Sequence, residues 1–222
     1  MIIAIDGPAG SGKSSTAKAV AAALGFRHLD SGALYRAITW AALEADLPVR
    51  EWVQLDAHTL NTLDIRSIPA QDRFDVAVGG QIVGDEIRSP EVNAHVSCMA
   101  AIPAVREWLL GALREAGRSG QLVADGRDIG TVVFPDADLK LFLVCAPEER
   151  ARRRLRERGI TDDAPDEVQQ EAARLQGRDA LDSGRTVAPL VPAPDAIIID
   201  TTDLTFQEQV DTIVALASSA GA

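Results

Sequence analysis

The chain has 222 residues, 46% of them hydrophobic and 25% charged, with a formal net charge of −11. That is enough apolar material for one globular core with a small addition, and no apolar run approaches the roughly 20 residues of a spanning helix. So acidic a chain offers no general nucleic-acid surface, and its two cysteines, Cys98 and Cys145, make no disulfide framework and suit a reducing cytosol.

The N-terminal MIIAIDGPAG has neither a basic segment nor a cleavage-site pattern, so no signal peptide is expected. IIAI (2–5) reads as a strand buried on both faces, the habit of parallel sheets. GPAGSGKS, Gly7 to Ser14, follows it and matches G-x-x-x-x-G-K-[ST]. A helical pattern covers 11–25 and stops at Gly25. Strand, glycine-rich loop and helix N-terminus in that order form a phosphate cradle: backbone N–H groups turn inward and the helix end adds positive charge. A nucleoside triphosphate is therefore expected on Gly7, Pro8, Ala9, Gly10, Ser11, Gly12, Lys13, Ser14 and Ser15. Lys13 would reach the β- and γ-phosphates, and the Ser14 hydroxyl would ligate Mg²⁺.

A helical pattern at 31–45 carries Arg36. Residues 47–95 then break the rhythm. RFDVAVGGQIVGDEI (73–87) alternates around Gly79-Gly80, a hairpin signal, and LDIRSI (63–68) adds a third strand. This antiparallel insert is either an ornamental hairpin or a subdomain that closes on a substrate; α/β enzymes commonly carry specificity in such additions. Helical patterns at 103–117, 147–158, 165–182 and 205–218 then alternate with strands LVA (122–124), LKLFLV (139–144) and AIII (196–199). Such alternation means an α/β fold with a central parallel sheet.

The phosphate loop alone fits a GTPase, a motor or a small-molecule kinase. No N-K-x-D segment for guanine is present, and a motor would be longer. Arg36, Arg106, Arg127, Arg178 and Arg185 lie in separate elements. Singly, each reads as a surface salt bridge; together with a phosphate cradle they read as anion contacts. Phosphoryl transfer to a hydroxyl often uses a carboxylate base, whereas a phosphomonoester is largely dianionic near pH 7 and needs none. The difficulty becomes bringing two polyanions together. RARRRLRERG supplies six arginines between Arg150 and Arg158. Residues three and four apart share a helix face, so Arg150, Arg153 and either Arg154 or Arg158 are expected to close over the triphosphate, the rest pairing with Glu148, Glu149, Glu157 or solvent. His28, His58 and His95 are too scattered for a metal site.

GPAGSGKSS (7–15), LDSGALYR (29–36), ADGRDIGTVVFP (124–135) and GRDALDSGRTVAPLVP (177–192), in that order, resemble bacterial cytidylate kinases of the P-loop nucleoside-monophosphate kinase family. The resemblance implies a P-loop NTPase three-layer sandwich, with core 1–46 and 96–222, a helical lid at about 148–182, and a monophosphate-binding insert at 47–95. It implies transfer from ATP, with Mg²⁺, to CMP or dCMP in the cytoplasm, with no nucleic-acid or membrane partner and nothing demanding more than a monomer. Ser31 and Arg36 match positions near the acceptor nucleotide, Ser97, Arg106 and Asp128 positions that read cytosine, and Asp182 the ribose. Arg127, Arg178 and Arg185 match positions around the acceptor phosphate and transferred group, making them catalytic residues with Lys13. The chemistry of the base agrees: Asp128 can accept from N4, while Arg106 and Ser97 donate to the other edge. The plainer reading of Asp128 is a strand-end cap or a bridge to Arg127. Asp125, at a strand C-terminus, is expected beside Ser14 at Mg²⁺. The competing readings are a kinase for another monophosphate or a metabolite hydroxyl, and a nucleotide-binding regulator or RNA-binding module.

Overall fold

The computed structural model describes residues 1–161 and 164–221. In chain order it contains β1 (Ile2–Asp6), α1 (Lys13–Leu24), β2 (Arg27–Asp30), α2 (Ser31–Glu44), α3 (Ala57–Thr62), β3 (Ile65–Pro69), β4 (Phe74–Val78) and β5 (Gln81–Val83). There follow α4 (Pro90–Ala100), α5 (Pro103–Ala116), β6 (Leu122–Gly126), β7 (Leu139–Val144), α6 (Pro147–Glu157), α7 (Pro165–Ser183), β8 (Ile197–Asp200) and α8 (Phe206–Ser219). Five parallel strands form one sheet in the order β2-β6-β1-β7-β8, and β3-β4-β5 form an antiparallel sheet.

Strand alternation sorts the core into two layers. Ile3 and Ile5 of β1, with Val123, Leu141 and Leu143, pack under α1 and α8 against Val20 and Ile213. Ala4, Leu122 and Ala124 face the other way, toward Leu34 and Ile38 of α2 and Leu109 and Leu113 of α5. The central parallel sheet expected from alternation is therefore present, within the three-layer sandwich that the resemblance implies. Trp52, Leu60, Ile65, Val76 and Ile87 of the insert join this second layer, so the insert is packed onto the sandwich. Gly79 and Gly80 take φ of 57° and 80°, the two left-handed residues that a two-residue hairpin of this kind needs.

Three elements escaped the sequence pattern: β2, the short α3 within the insert, and α4. Only Leu29 of β2 is buried among RHLD, so this edge strand has no apolar run to announce it. Helix α4 runs through the expected 95/96 boundary; it starts at Ser89-Pro90, where the Ser89 hydroxyl accepts from the Val92 N–H. Between α6 and α7, residues 162 and 163 of the expected lid range lie outside the described residues. The two helices pack through Ala151, Leu155, Val168, Ala172 and Leu175, and this small cluster also takes in Ala9 of the glycine-rich loop.

Candidate active site

The glycine-rich loop joins β1 to α1, and its conformation explains its glycines. Gly7, Gly10 and Gly12 have φ of 155°, 75° and 86°. A Cβ on Gly7 would lie 2.4 Å from the Leu143 carbonyl oxygen. Gly7→Ala is therefore expected to cost about 2–3 kcal/mol of folding stability through strain and overpacking, read from urea unfolding midpoints. A midpoint equal to wild type would mean the loop has another conformation available.

A cavity of about 470 Å³ opens beside this loop, over the C-terminal ends of β2 and β6. Nine basic and five acidic side chains line it. In a chain of net charge −11, that local excess of cations marks a site for polyanions. Lys13 is buried and its Nζ donates to the Pro8 carbonyl at 3.1 Å. Burial, with Arg127 nearby, pushes its ammonium down to about 7. Ser14 Oγ donates to Asp125 Oδ2 at 2.5 Å, and His28 Nε2 lies 2.8 Å from Asp125 Oδ1. Burial opposes the charged form of His28, but Asp125 outweighs it and holds the imidazole above its usual range.

On the acceptor side, Ser31 Oγ donates to the Asp125 carbonyl at 2.8 Å. Asp30 caps α2 by accepting from the Ala33 N–H at 3.0 Å, and it pairs with Arg88 at 2.9 Å. Arg127 Nε donates to Asp182 at 2.9 Å, and Arg185 Nε to the Asp182 carbonyl at 3.0 Å. Burial works against the Asp182 charge, yet Arg127 and Arg185 hold it below the usual carboxylate range. Arg106 and Asp128 form a buried ion pair, each 6% exposed, and the Arg106 guanidinium lies 5.4 Å from the centre of the Tyr35 ring. Asp128 thus pairs with Arg106, and the simpler reading of a bridge to Arg127 is set aside.

Several donors remain unused. Arg36 Nε, Ser97 Oγ, Arg178 Nε and Arg185 Nη2 are buried and have no hydrogen-bond partner among the described residues, and all four residues line the cavity. A buried unsatisfied polar group costs roughly 1–3 kcal/mol, so four in one cavity describe a site that an anion completes. Burial, then Arg127 and Arg36, push the Arg178 guanidinium well below its usual value, and the opposing Asp182 does not offset them.

The expected residues divide as follows. Ala9, Gly10, Gly12, Lys13, Ser14, Ser15, Ser31, Arg36, Ser97, Arg106, Asp125, Arg127, Asp128, Arg178, Asp182 and Arg185 line one cavity. Arg150 and Arg153, expected above the triphosphate, lie instead against the loop's own backbone. Arg150 Nη1 donates to the Ala9 carbonyl at 2.9 Å and pairs with Asp179, which in turn accepts from the Ala9 N–H. Arg153 donates to the carbonyls of Ser11 and Thr201. The reason is helical phase. Arg150 lies at the middle of the α6 face that packs on the loop, with Arg153 on one flank and Arg154 on the other, and only the Arg154 flank borders the cavity, where Arg154 pairs with Glu157 at 2.8 Å. Sequence reasoning missed Lys18, His28, Asp30, Tyr35 and Arg88 in the lining. Asp30 had a signal as the N-cap of D-S-G; Arg88 had none, since it reaches Asp30 only because the insert folds back.

The Ser14–Asp125 pair fits Mg²⁺: both offer hard oxygens, and this ion keeps few protein ligands when substrate phosphates supply the others. A cluster of three or more His, Cys, Asp or Glu that could cage a metal is absent among the described residues.

Comparison with known proteins adds the family. A family model described as "Cytidylate kinase" matches residues 3–219. A cytidylate kinase from Desulfitobacterium hafniense is 46% identical over 96% of this chain and 91% of its own length. A bifunctional pantoate ligase/cytidylate kinase from a Synechococcus strain is 47% identical over 97% of this chain, which spans only 40% of that protein. Among solved structures, an uncharacterized protein from Eubacterium ventriosum superposes with a TM-score of 0.52 over 99% of this chain and 98% of its own, at 12% identity, a likeness of fold alone.

Proposed function

The chain belongs to the cytidylate kinase family, and on that premise we propose that it transfers the γ-phosphoryl group of ATP to CMP or dCMP, giving ADP and CDP or dCDP. The observation that carries this reading is the gathering of arginines from separate elements, with buried unsatisfied donors, at one cavity beside a phosphate loop.

The loop amides and Lys13 hold the donor's β- and γ-phosphates. Ser14 and Asp125 would hold Mg²⁺, which would supply neutralising charge to those oxygens. Arg36, Arg127, Arg178 and Arg185 surround the acceptor phosphate. An oxygen of that dianion forms the new bond to the γ-phosphorus while the bond from phosphorus to the β–γ bridging oxygen breaks and its electrons leave on ADP. No proton has to be removed first. Catalysis is then positioning and stabilisation of charge spread over the transferred group. Asp128, oriented by Arg106, accepts from cytosine N4, and Ser97 meets the opposite edge. Asp182 serves the ribose through the position Arg127 gives it.

Cytosolic placement and action as a monomer belong to the same reading, and free Cys98 and Cys145 suit a reducing compartment. Among the described residues, no single helix is long and apolar enough to cross a membrane. The decisive experiment compares ADP release with CMP, dCMP, UMP, AMP and shikimate as acceptors. Best turnover on anything but a cytidine nucleotide discards the reading.

Lys13 adds a proton-linked prediction. Its folded value near 7 lies below the unfolded 10.5, so between these values the unfolded chain binds more protons and unliganded stability rises with pH. Phosphates favour the charged ammonium and reverse the shift. Binding of a non-hydrolysable ATP analogue at pH 8 is therefore expected to take up close to one proton per site. Calorimetry in buffers of different ionisation enthalpy measures this, and no uptake would mean Lys13 is already charged.

A further inference from the structure

Asp6 is the last residue of β1 and directly precedes Gly7, the first glycine of the phosphate loop. It is 3% exposed. Its two oxygens accept from two consecutive backbone amides, Oδ1 from the Ile129 N–H and Oδ2 from the Gly130 N–H, each at 2.8 Å. A carboxylate forked onto two amides makes strong, directional bonds. Those amides begin the wide helical turn Ile129–Val133, immediately after Arg127 and Asp128. A Cβ on Gly130 would lie 3.3 Å from the Lys140 Cδ and in ordinary contact, 3.5 Å, with Asp6 Oδ2, so the fork closes tightly on the turn.

The turn is also held at its other end. The amides of Val132 and Val133 donate to the Asp128 carbonyl, and that of Phe134 to the Ile129 carbonyl. Asp128 itself is extended backbone with its side chain on Arg106. The 127–128 segment is thus held from two sides: β6 before it pairs with β1 as far as Gly126, and the turn after it is tied at Val132 and Val133 by Arg114 and at Ile129 and Gly130 by Asp6, the one of these side chains that belongs to the strand entering the phosphate loop. Burial pushes the Asp6 carboxyl up to about 6, opposed by the two amides and by Lys13, while Asp128 adds to the rise. It remains charged above neutral pH, where both forked bonds are available.

We propose that Asp6 is a positioning residue for acceptor recognition: its carboxylate ties the turn that carries Arg127 and Asp128 to the start of the phosphate loop, and so sets the spacing between donor and acceptor nucleotides. This inference rests on the reading of Asp128 and Arg127 as acceptor contacts. It adds a group that touches neither nucleotide. In Asp6→Asn one oxygen becomes an amide nitrogen that faces a backbone N–H, so one of the two bonds is lost and the turn is pushed away.

The test is steady-state kinetics of wild type and Asp6→Asn with CMP and UMP at pH 8. A misplacement of order 1 Å at a reacting group costs about 10²-fold, so a partial release of the turn is expected to raise KM for CMP and to lower the CMP-over-UMP ratio of kcat/KM by about tenfold each. KM for ATP should move less than about threefold, because the loop's own braces at Ala9 and Ser11 remain. These readouts do not depend on how much of the protein is folded, so a less stable variant still answers the question. If Asp6→Asn is insoluble, Asp6→Ser carries the same test, because its single short hydroxyl cannot span the Ile129 and Gly130 amides that the carboxylate forks. A CMP KM and a CMP/UMP ratio within twofold of wild type, or an ATP KM that rises as much as that for CMP, overturns the proposal. Wild type without CMP-dependent turnover would instead overturn the reading on which it rests.

Discussion

Replacing Lys13 by Met is expected to lower kcat/KM by about 10³-fold while raising the thermal midpoint of the unliganded protein. Both effects come from one group. Removing a single preorganised donor from a developing anion typically costs about 10²–10³-fold, and Lys13 carries a full charge in a water-poor cavity where Coulombic terms are strong. The same charge is a burden without nucleotide. Lys13 is buried among Arg36, Arg127 and Arg178, which is why its ammonium is pushed down to about 7. Met keeps the length of the stem and removes the charge, so folding no longer has to desolvate an ammonium. The stabilisation should shrink from pH 7 toward pH 10, as unfolded Lys13 loses its own proton. Steady-state kinetics and thermal melts read the two halves separately. Unchanged turnover sinks the role of the loop, and a lowered midpoint at neutral pH sinks the charge argument.

The second large effect belongs to Asp128→Asn. Uracil presents a carbonyl where cytosine presents an amino group, so on the proposed reading it would meet the Asp128 carboxylate with no proton between them. Sites built on such hydrogen bonds can reject the mismatched analogue by up to about 10⁴-fold. Asn can turn its amide toward that carbonyl, and the ratio of kcat/KM for CMP over UMP is expected to fall by about 10²-fold. Arg106 gives the variant a second signature. It is 6% exposed and loses its charged partner, and an uncompensated buried charge costs up to about 3–5 kcal/mol. Chemical denaturation should show most of that loss, reduced by whatever bond the Asn oxygen keeps. A CMP/UMP ratio equal to wild type would mean that the base is read elsewhere.

Helix phase explains where the arginine-rich segment departed from expectation. Of the six arginines in nine residues, Arg150, Arg153 and either Arg154 or Arg158 are the ones that helical spacing puts forward as a cap over the phosphates. Ala151 and Leu155 fix which side of α6 is buried, and that choice commits Arg150 and Arg153 to the carbonyls of Ala9 and Ser11. The two arginines still serve the phosphate loop, as braces of its backbone. Arg154, which pattern alone did not separate from Arg158, is the one on the cavity side. Edge strand β2 stayed hidden for a related reason. RHLD carries one buried apolar side chain, and a strand that exposes a face and an edge leaves too short a pattern to read.

Local chemistry was readable residue by residue. The phosphate loop, the Gly79-Gly80 hairpin and the apolar strands are set by backbone conformations and periodicities that span fewer than about fifteen residues, so the chain declares them without help from distant segments. Pairing was not readable. Arg106 with Asp128, Arg127 with Asp182, Arg150 with Asp179 and Asp6 with the amides of residues 129 and 130 join positions from 22 to 124 apart in sequence. Which carboxylate neutralises which guanidinium, and which donors are left open for a nucleotide, depends on the crossing of helices over the sheet, and only the folded chain decides that.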